Sequence, residues 1–288
     1  MSASQRIPPT MNSSLRLRTV SGIVFVLVML GCLLFSPYLY AALVIYMMVG
    51  MMHEFYSMTM GGLFKLPRIL AIASGIIFFG LLFCFFSYDI PPKLIALGMI
   101  PVTATMVSLL FDKDRKGHLR DFSHIFTGLV YIAVPLSLST FIALRDGSFS
   151  CILLICFFVI IWCSDIGAYT IGMLFGQKEG SRKLSPDISP KKTWTGFWGG
   201  LAFSMVAAAV LKLTGLLDIH WLHCLALAVV MHVAGVLGDL FESAWKREFG
   251  VKDSGKAIPG HGGLLDRFDS TLMAVPVGTI YLALFNLL

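Results

Sequence analysis

The sequence predicts an all-α, polytopic integral membrane protein. Of its 288 residues, 57% are hydrophobic and only 13% charged, and the mean hydropathy is +0.83. A soluble domain carries about 25% charged residues, so the deficit is too large for a water-exposed surface. Apolar runs of about 17–25 residues recur along the whole length, the length a helix needs to cross a bilayer. No strand-like alternation competes with them. The chain reads as a polar tail, residues 1–18, followed by a single transmembrane unit, residues 19–288, with no separate soluble domain and no long linker.

The runs give about nine spans, near 19–36, 38–53, 67–88, 91–111, 122–144, 149–175, 193–214, 221–245 and 271–288. The first follows Arg16 and Arg18. It is long for a signal peptide and no small-residue cleavage site closes it, so it is expected to be retained. Only Ser36-Pro37 separates it from the second. The sixth and eighth are unusual because acids sit inside them. Six cysteines, Cys32, Cys84, Cys151, Cys156, Cys163 and Cys224, all lie in apolar runs. None forms a CxxC pair, which argues against zinc or redox chemistry and for small packing residues.

The loops orient this arrangement. With nine spans, one side receives the N-terminus and the segments near 54–68, 112–121, 176–192 and 246–270, which together hold 19 of the 22 Lys and Arg. The other side holds Lys93, Arg145 and Lys212. The positive-inside rule then puts the N-terminus in the cytoplasm and the C-terminus outside. The net charge of +6 is thereby concentrated on the cytoplasmic face, in an inner, cell membrane.

Topology does not explain the acids among those cations. Asp165 follows an apolar run, and Asp239 and Glu242 close another. An ionised carboxylate at such a position persists if it is paired, bound to metal or facing a wet cavity. From Asp239, the residues Glu242, Ser243 and Lys246 follow at +3, +4 and +7, so one helical face carries acid, hydroxyl and cation, with Arg247 beside it. Gly235 and Gly238 allow close backbone approach there. His232 reads as a packing residue. Beyond Gly250, a helix stop, come Lys252-Asp253, the glycines Gly260, Gly262 and Gly263 around His261, and then Asp266, Arg267 and Asp269. Glycines can aim backbone amides at an anion. Asp266 and Asp269 can complement a helix N-terminus. Asp266 can also supply a second oxygen ligand beside Asp239, since Mg²⁺ is held by one or two carboxylates plus substrate phosphates. On the same face, residues 183–194 place two Ser-Pro steps around Asp187, then Lys191 and Lys192. This is a rigid charged segment that reads as a second phosphate clamp.

These residues resemble a known family, the phosphatidate cytidylyltransferases or CDP-diacylglycerol synthases. The likeness rests on Ser243, Lys246-Arg247, Lys252-Asp253, Pro259 to Gly263, and Asp266-Arg267 with Asp269. It extends back through residues 238–243, the stretch 189–194, and Asp165 with Ala168-Tyr169 and Gly172, so it covers about residues 160–270. In the N-terminal half it is limited to hydropathy and a Glu54-Phe55 pair. The chain departs at Thr195, where similar proteins often have Glu, and no role is given to that position. The resemblance implies transfer of the cytidylyl group of CTP to phosphatidate with Mg²⁺, giving CDP-diacylglycerol and pyrophosphate. It implies Asp239 and Asp266 as metal ligands. It also implies a nine-helix fold, often a homodimer, with a polar cavity open to cytoplasm and bilayer.

The residue types suit that chemistry. A lipid phosphate is already anionic near neutral pH, its second pKa being about 6, so no general base is required. The obstacle is bringing two polyanions together, which cations must relieve. Asp239 and Asp266 are expected to hold metal, aided by Asp165 or Glu242. Lys246, Arg247, Lys252 and Arg267 are expected to bind phosphates. Ser185, Lys191 and Lys192 would serve the triphosphate or the lipid phosphate, and Ser243, Gly262 and Gly263 would line the substrate. His261 reads either as an anion donor or as a loop-packing residue. Two alternatives stand beside this reading: a related CTP-dependent enzyme with another lipid-linked acceptor, and a secondary transporter for an anion. A nucleic-acid partner is not expected.

Overall fold

A computed structural model describes residues 11–111, 122–178, 180–257 and 262–288, with side chains from Val20 onward, Asp146 excepted. Helix α1 (Met11–Phe35) gives way to α2 (Pro37–Met60) across a single residue. Ser36 is extended and its Oγ accepts from the Tyr38 N–H at 3.2 Å, while Pro37 occupies a position whose N–H has no helical partner. A cap and a proline are therefore enough to separate the first two helices. Helix α3 (Lys65–Tyr88) follows, then a 3₁₀ turn (Pro92–Gly98) leading into α4 (Met99–Phe111).

The fifth run, residues 122–143, is broken. It passes through α5 (Phe122–Gly128), a π turn (Leu129–Ala133), α6 (Val134–Leu138) and α7 (Thr140–Ala143). Pro135 lacks an amide hydrogen, and the ladder widens to a Val134 N–H···Leu129 O bond just before it. Helix α8 (Ile152–Phe175) leads to strands β1 (Lys183–Ser185) and β2 (Ser189–Thr193), and α9 (Trp194–Leu213), α10 (Trp221–Glu248) and α11 (Leu265–Leu284) complete the chain.

Among the described residues, seven segments are long and apolar enough to cross a membrane: residues 37–60, 65–88, 92–111, 122–143, 152–175, 194–213 and 221–248. The described apolar part of α1, Val20–Phe35, is shorter, and α11 opens with Asp266, Arg267 and Asp269. The chain is thus an almost entirely helical integral membrane protein, with seven candidate spans among the described residues. Large apolar side chains such as Leu27, Ile100, Phe111, Val206 and Leu213 are exposed, which suits hydrocarbon rather than water.

Three expectations need correction. The strand-free reading misses the β1–β2 hairpin, an antiparallel pair with Lys183 opposite Thr193 and Ser185 opposite Ser189, turned by Pro186-Asp187. Helix α2 continues seven residues beyond 53, and α11 begins at 265 rather than 271, because polar residues paired within the protein can remain helical where hydropathy falls.

Helices α8 and α9 pack through small residues: a Cβ at Gly196 would lie 2.8 Å from the carbonyl oxygen of Ala168. One end of the bundle gathers the charged connections. There Phe64 packs on Phe122, His124 lies between Trp245 and Phe249, and the Arg247 guanidinium donates to the Ile188 carbonyl at 3.4 Å. The opposite end is tied by Tyr38–Tyr88 and buried Tyr40–Ser139 hydroxyl contacts of 2.9 and 2.7 Å.

Candidate active site

At the charged end, α10 presents the stripe its spacing predicts. Ser243 Oγ donates to Asp239 Oδ1 at 3.3 Å, and Lys246 Nζ donates to Glu242 Oε2 at 2.6 Å. The same ammonium reaches across to Asp266 Oδ1 on α11 at 2.8 Å. Glu242 is 1% exposed and Lys246 9%, so this is a buried, charge-assisted network rather than a solvated face. The helices meet closely enough because residue 238 is glycine: a Cβ there would lie 2.5 Å from the Asp269 carbonyl oxygen. That approach brings Asp269 to the stripe, and Asp165, Asp239 and Asp269 lie within electrostatic range of one another.

Asp266 is held on both oxygens. Its Oδ2 accepts from the Gly263 and Ser254 amides at 2.8 and 2.9 Å. Burial would raise its pKa, but Lys246 and these two amides outweigh burial and hold the carboxyl below its ordinary value. It is therefore an anion at neutral pH.

The hairpin closes the other flank. Lys192, on β2, forms an ion pair with Asp239. Beside it lies an open cleft of about 280 Å³, lined by Asp165, Tyr169, Lys191, Lys192, Thr193 and Asp239 among others. Lysines and carboxylates thus face one open cleft at the edge of the apolar helices.

Most of the residues singled out in the sequence converge here: Asp165, Lys191, Lys192, Asp239, Glu242, Ser243, Lys246, Gly263 and Asp266. Gly262, with φ of +88°, turns the backbone against Asp266. Others stand apart. Arg247 is occupied by the carbonyls of Ile188 and Val251, Ser185 lies in β1, and Lys252 and Arg267 are exposed at the same end. His261 lies outside the described residues.

Three residues have contacts the sequence reading did not give them. Glu54, at the end of α2, is buried and accepts from Ser254, Leu264 and Leu265. The Glu54-Phe55 pair was the available signal. Asp269, weighed as a dipole partner, belongs to the carboxylate cluster. Tyr131, in the π turn, has a buried hydroxyl with no hydrogen-bond partner and lies within electrostatic range of Glu242, Asp269 and Asp239. Nothing in the sequence marks it.

Among the described residues, no three His, Cys, Asp or Glu side chains form a ready-made metal cage. The donors present nevertheless suit a hard cation. All are carboxylate oxygens, and Glu242 Oε1 is buried without a hydrogen-bond partner. Lys192 and Lys246 lie against these carboxylates. Two carboxylates completed by substrate phosphates are enough for Mg²⁺.

Compared with known proteins, residues 16–285 match a family model described as "Cytidylyltransferase family". The chain is 48% identical over 128 residues to the phosphatidate cytidylyltransferase of Bacillus subtilis (strain 168), covering 44% of this chain and 46% of that protein. It is 47% identical over 128 residues to that of Staphylococcus epidermidis (strain ATCC 12228), covering 43% and 46%. With that of Staphylococcus haemolyticus (strain JCSC1435) it shares 37% identity over 190 residues, covering 66% and 68%. The chain spans about half the length of the first two relatives and about two thirds of the third.

Proposed function

Since this chain belongs to the cytidylyltransferase family, we propose that it transfers the cytidylyl group of CTP to phosphatidate, forming CDP-diacylglycerol and pyrophosphate. The observation that carries the reading is the Lys246 ammonium shared by Glu242 and Asp266, one flank away from the Lys192–Asp239 pair and the open cleft. Carboxylates and lysines interleaved at the end of membrane helices suit a membrane-bound anionic acceptor and a water-soluble nucleotide. The relatives' names point to the same substrates.

In the proposed reaction a phosphate oxygen of phosphatidate attacks the α-phosphorus of CTP, and the bond to the pyrophosphate oxygen breaks. The nucleophile is already an anion, so the site needs to supply position and positive charge. Lys191 and Lys192 face the cleft and serve the triphosphate. Lys246 neutralises the buried carboxylates and stands next to the phosphates. Lys252, Arg267 and Arg247 lie at the same end and draw the nucleotide inward. Ser185, Ser243 and Gly262 complete the substrate contacts, together with His261, while the Gly263 amide holds Asp266 beside them. Asp239 and Asp266, with Asp165 and Glu242 in support, would hold a divalent cation such as Mg²⁺, which supplies charge at the phosphates and the departing pyrophosphate.

In the same reading α1 and α11 also cross the bilayer, making nine spans in one catalytic unit, with the N-terminus and site cytoplasmic and the C-terminus outside. The chain is taken to pair as a homodimer. The test is incubation of purified protein with CTP labelled in its α-phosphate, Mg²⁺ and phosphatidate, followed by lipid extraction. Label in the organic phase, dependent on phosphatidate, is the expected result. No organic-phase label, with CTP uptake into proteoliposomes, would overturn it.

A further inference from the structure

Glu54 stands near the end of α2, about 200 residues in sequence from the loop it binds. Its Oε1 accepts from the Leu264 amide at 3.0 Å, and its Oε2 accepts from the Leu265 amide at 2.9 Å and from Ser254 Oγ at 3.3 Å. Helix α11 has no side-chain cap of its own, because Leu264 stands at the capping position. The first amides of a helix are unpaired donors at the positive end of its dipole, and a carboxylate answers both needs. Glu54 thus caps α11 from another helix. Gly255 and Gly263 lie flat against its carboxylate, where a Cβ at either would collide with it.

The residues that bind Glu54 also hold Asp266. Ser254 donates its hydroxyl to Glu54 and its amide to Asp266 Oδ2, and Gly263, next to Leu264, donates to the same Asp266 oxygen. With one oxygen of Asp266 fixed in this way, the other meets Lys246. We propose that Glu54 is a positioning residue for cytidylyl transfer, acting through Ser254 and the α11 N-terminus to set Asp266 against Lys246. The inference rests on the function proposed above and gives the N-terminal helices a part in the site itself.

The test uses the full chain in lipid nanodiscs with Glu54→Gln, Ser254→Ala and the double variant. Glutamine keeps the size of Glu54 but turns an amino group toward one of the α11 amides. In Glu54→Gln, kcat is expected to fall about 10- to 100-fold, the range for a small displacement at a reacting centre, with KM for CTP and phosphatidate nearly unchanged. Hydrogen exchange across 262–268 is expected to quicken while the other helices keep their protection. Ser254→Ala is expected to cost less alone and to add little to Glu54→Gln, since both break one link. Wild-type kcat in Glu54→Gln, or independent multiplication of the two losses, would overturn the proposal. If Glu54→Gln fails to fold, Ser254→Ala decides: lower kcat at constant KM supports the link and wild-type kcat refutes it. If the wild-type chain makes no CDP-lipid, the reading of function fails, but exchange at 264–265 still judges the link. Faster exchange in Glu54→Gln supports it, and unchanged exchange overturns it.

Discussion

Lys246 is the residue on which the site's charge balance turns. Its ammonium pairs with one oxygen each of Glu242 and Asp266, and neither carboxylate can reach water easily. Removing one member of a buried ion pair leaves the other charged and uncompensated, at a cost of about 3–5 kcal/mol. Lys246→Met is therefore expected to lower the thermal midpoint measured in detergent and to depress CDP-lipid formation about 100-fold or more. A variant with unchanged midpoint and turnover would show that the cluster carries no such strain. At this scale the sequence was most legible where geometry is local. Spacings of three, four and seven place Asp239, Glu242, Ser243 and Lys246 on one face whatever surrounds them. Asp269 and Tyr131 were not legible, because their proximity to that face depends on how α11 and the π turn pack against α10.

Between elements, the close α10–α11 crossing makes the site. A Cβ at residue 238 would meet backbone, the Asp269 carbonyl, which cannot swing aside as a flexible side chain can. Gly238→Ala is expected to push the helices apart and lower turnover at least about tenfold while leaving helical content by circular dichroism intact. Gly80→Ala is the control: nothing lies within 4 Å of its Cβ, and alanine favours the helix by about 1 kcal/mol. Equal turnover in both would contradict the crossing argument. The apolar runs foretold most of these helices, since a bilayer sets their length. Two departures have local causes: Pro135 breaks the fifth run, and Pro186-Asp187 turns a hairpin where only a rigid charged segment was expected.

Across the whole molecule, charge and hydropathy together locate the chemistry. The apolar surface consigns most of the chain to lipid. The basic connections gather at one bundle end, and there the carboxylates of α8, α10 and α11 meet the lysines of the hairpin. The sequence legibly placed the site in the C-terminal half. It did not reveal that α2 reaches into it, because a contact between residues 54 and 264 has no local pattern. The central claim is that this cluster performs cytidylyl transfer, and Asp266 is its most constrained member, bound to Lys246, Gly263 and Ser254. The most direct measurement is phosphatidate-dependent incorporation of labelled CTP into lipid by folded, nanodisc-embedded Asp266→Asn beside the wild-type chain. The account expects ready incorporation by the wild type and a loss of about a thousandfold or more in the variant. Near-normal turnover by Asp266→Asn would contradict it.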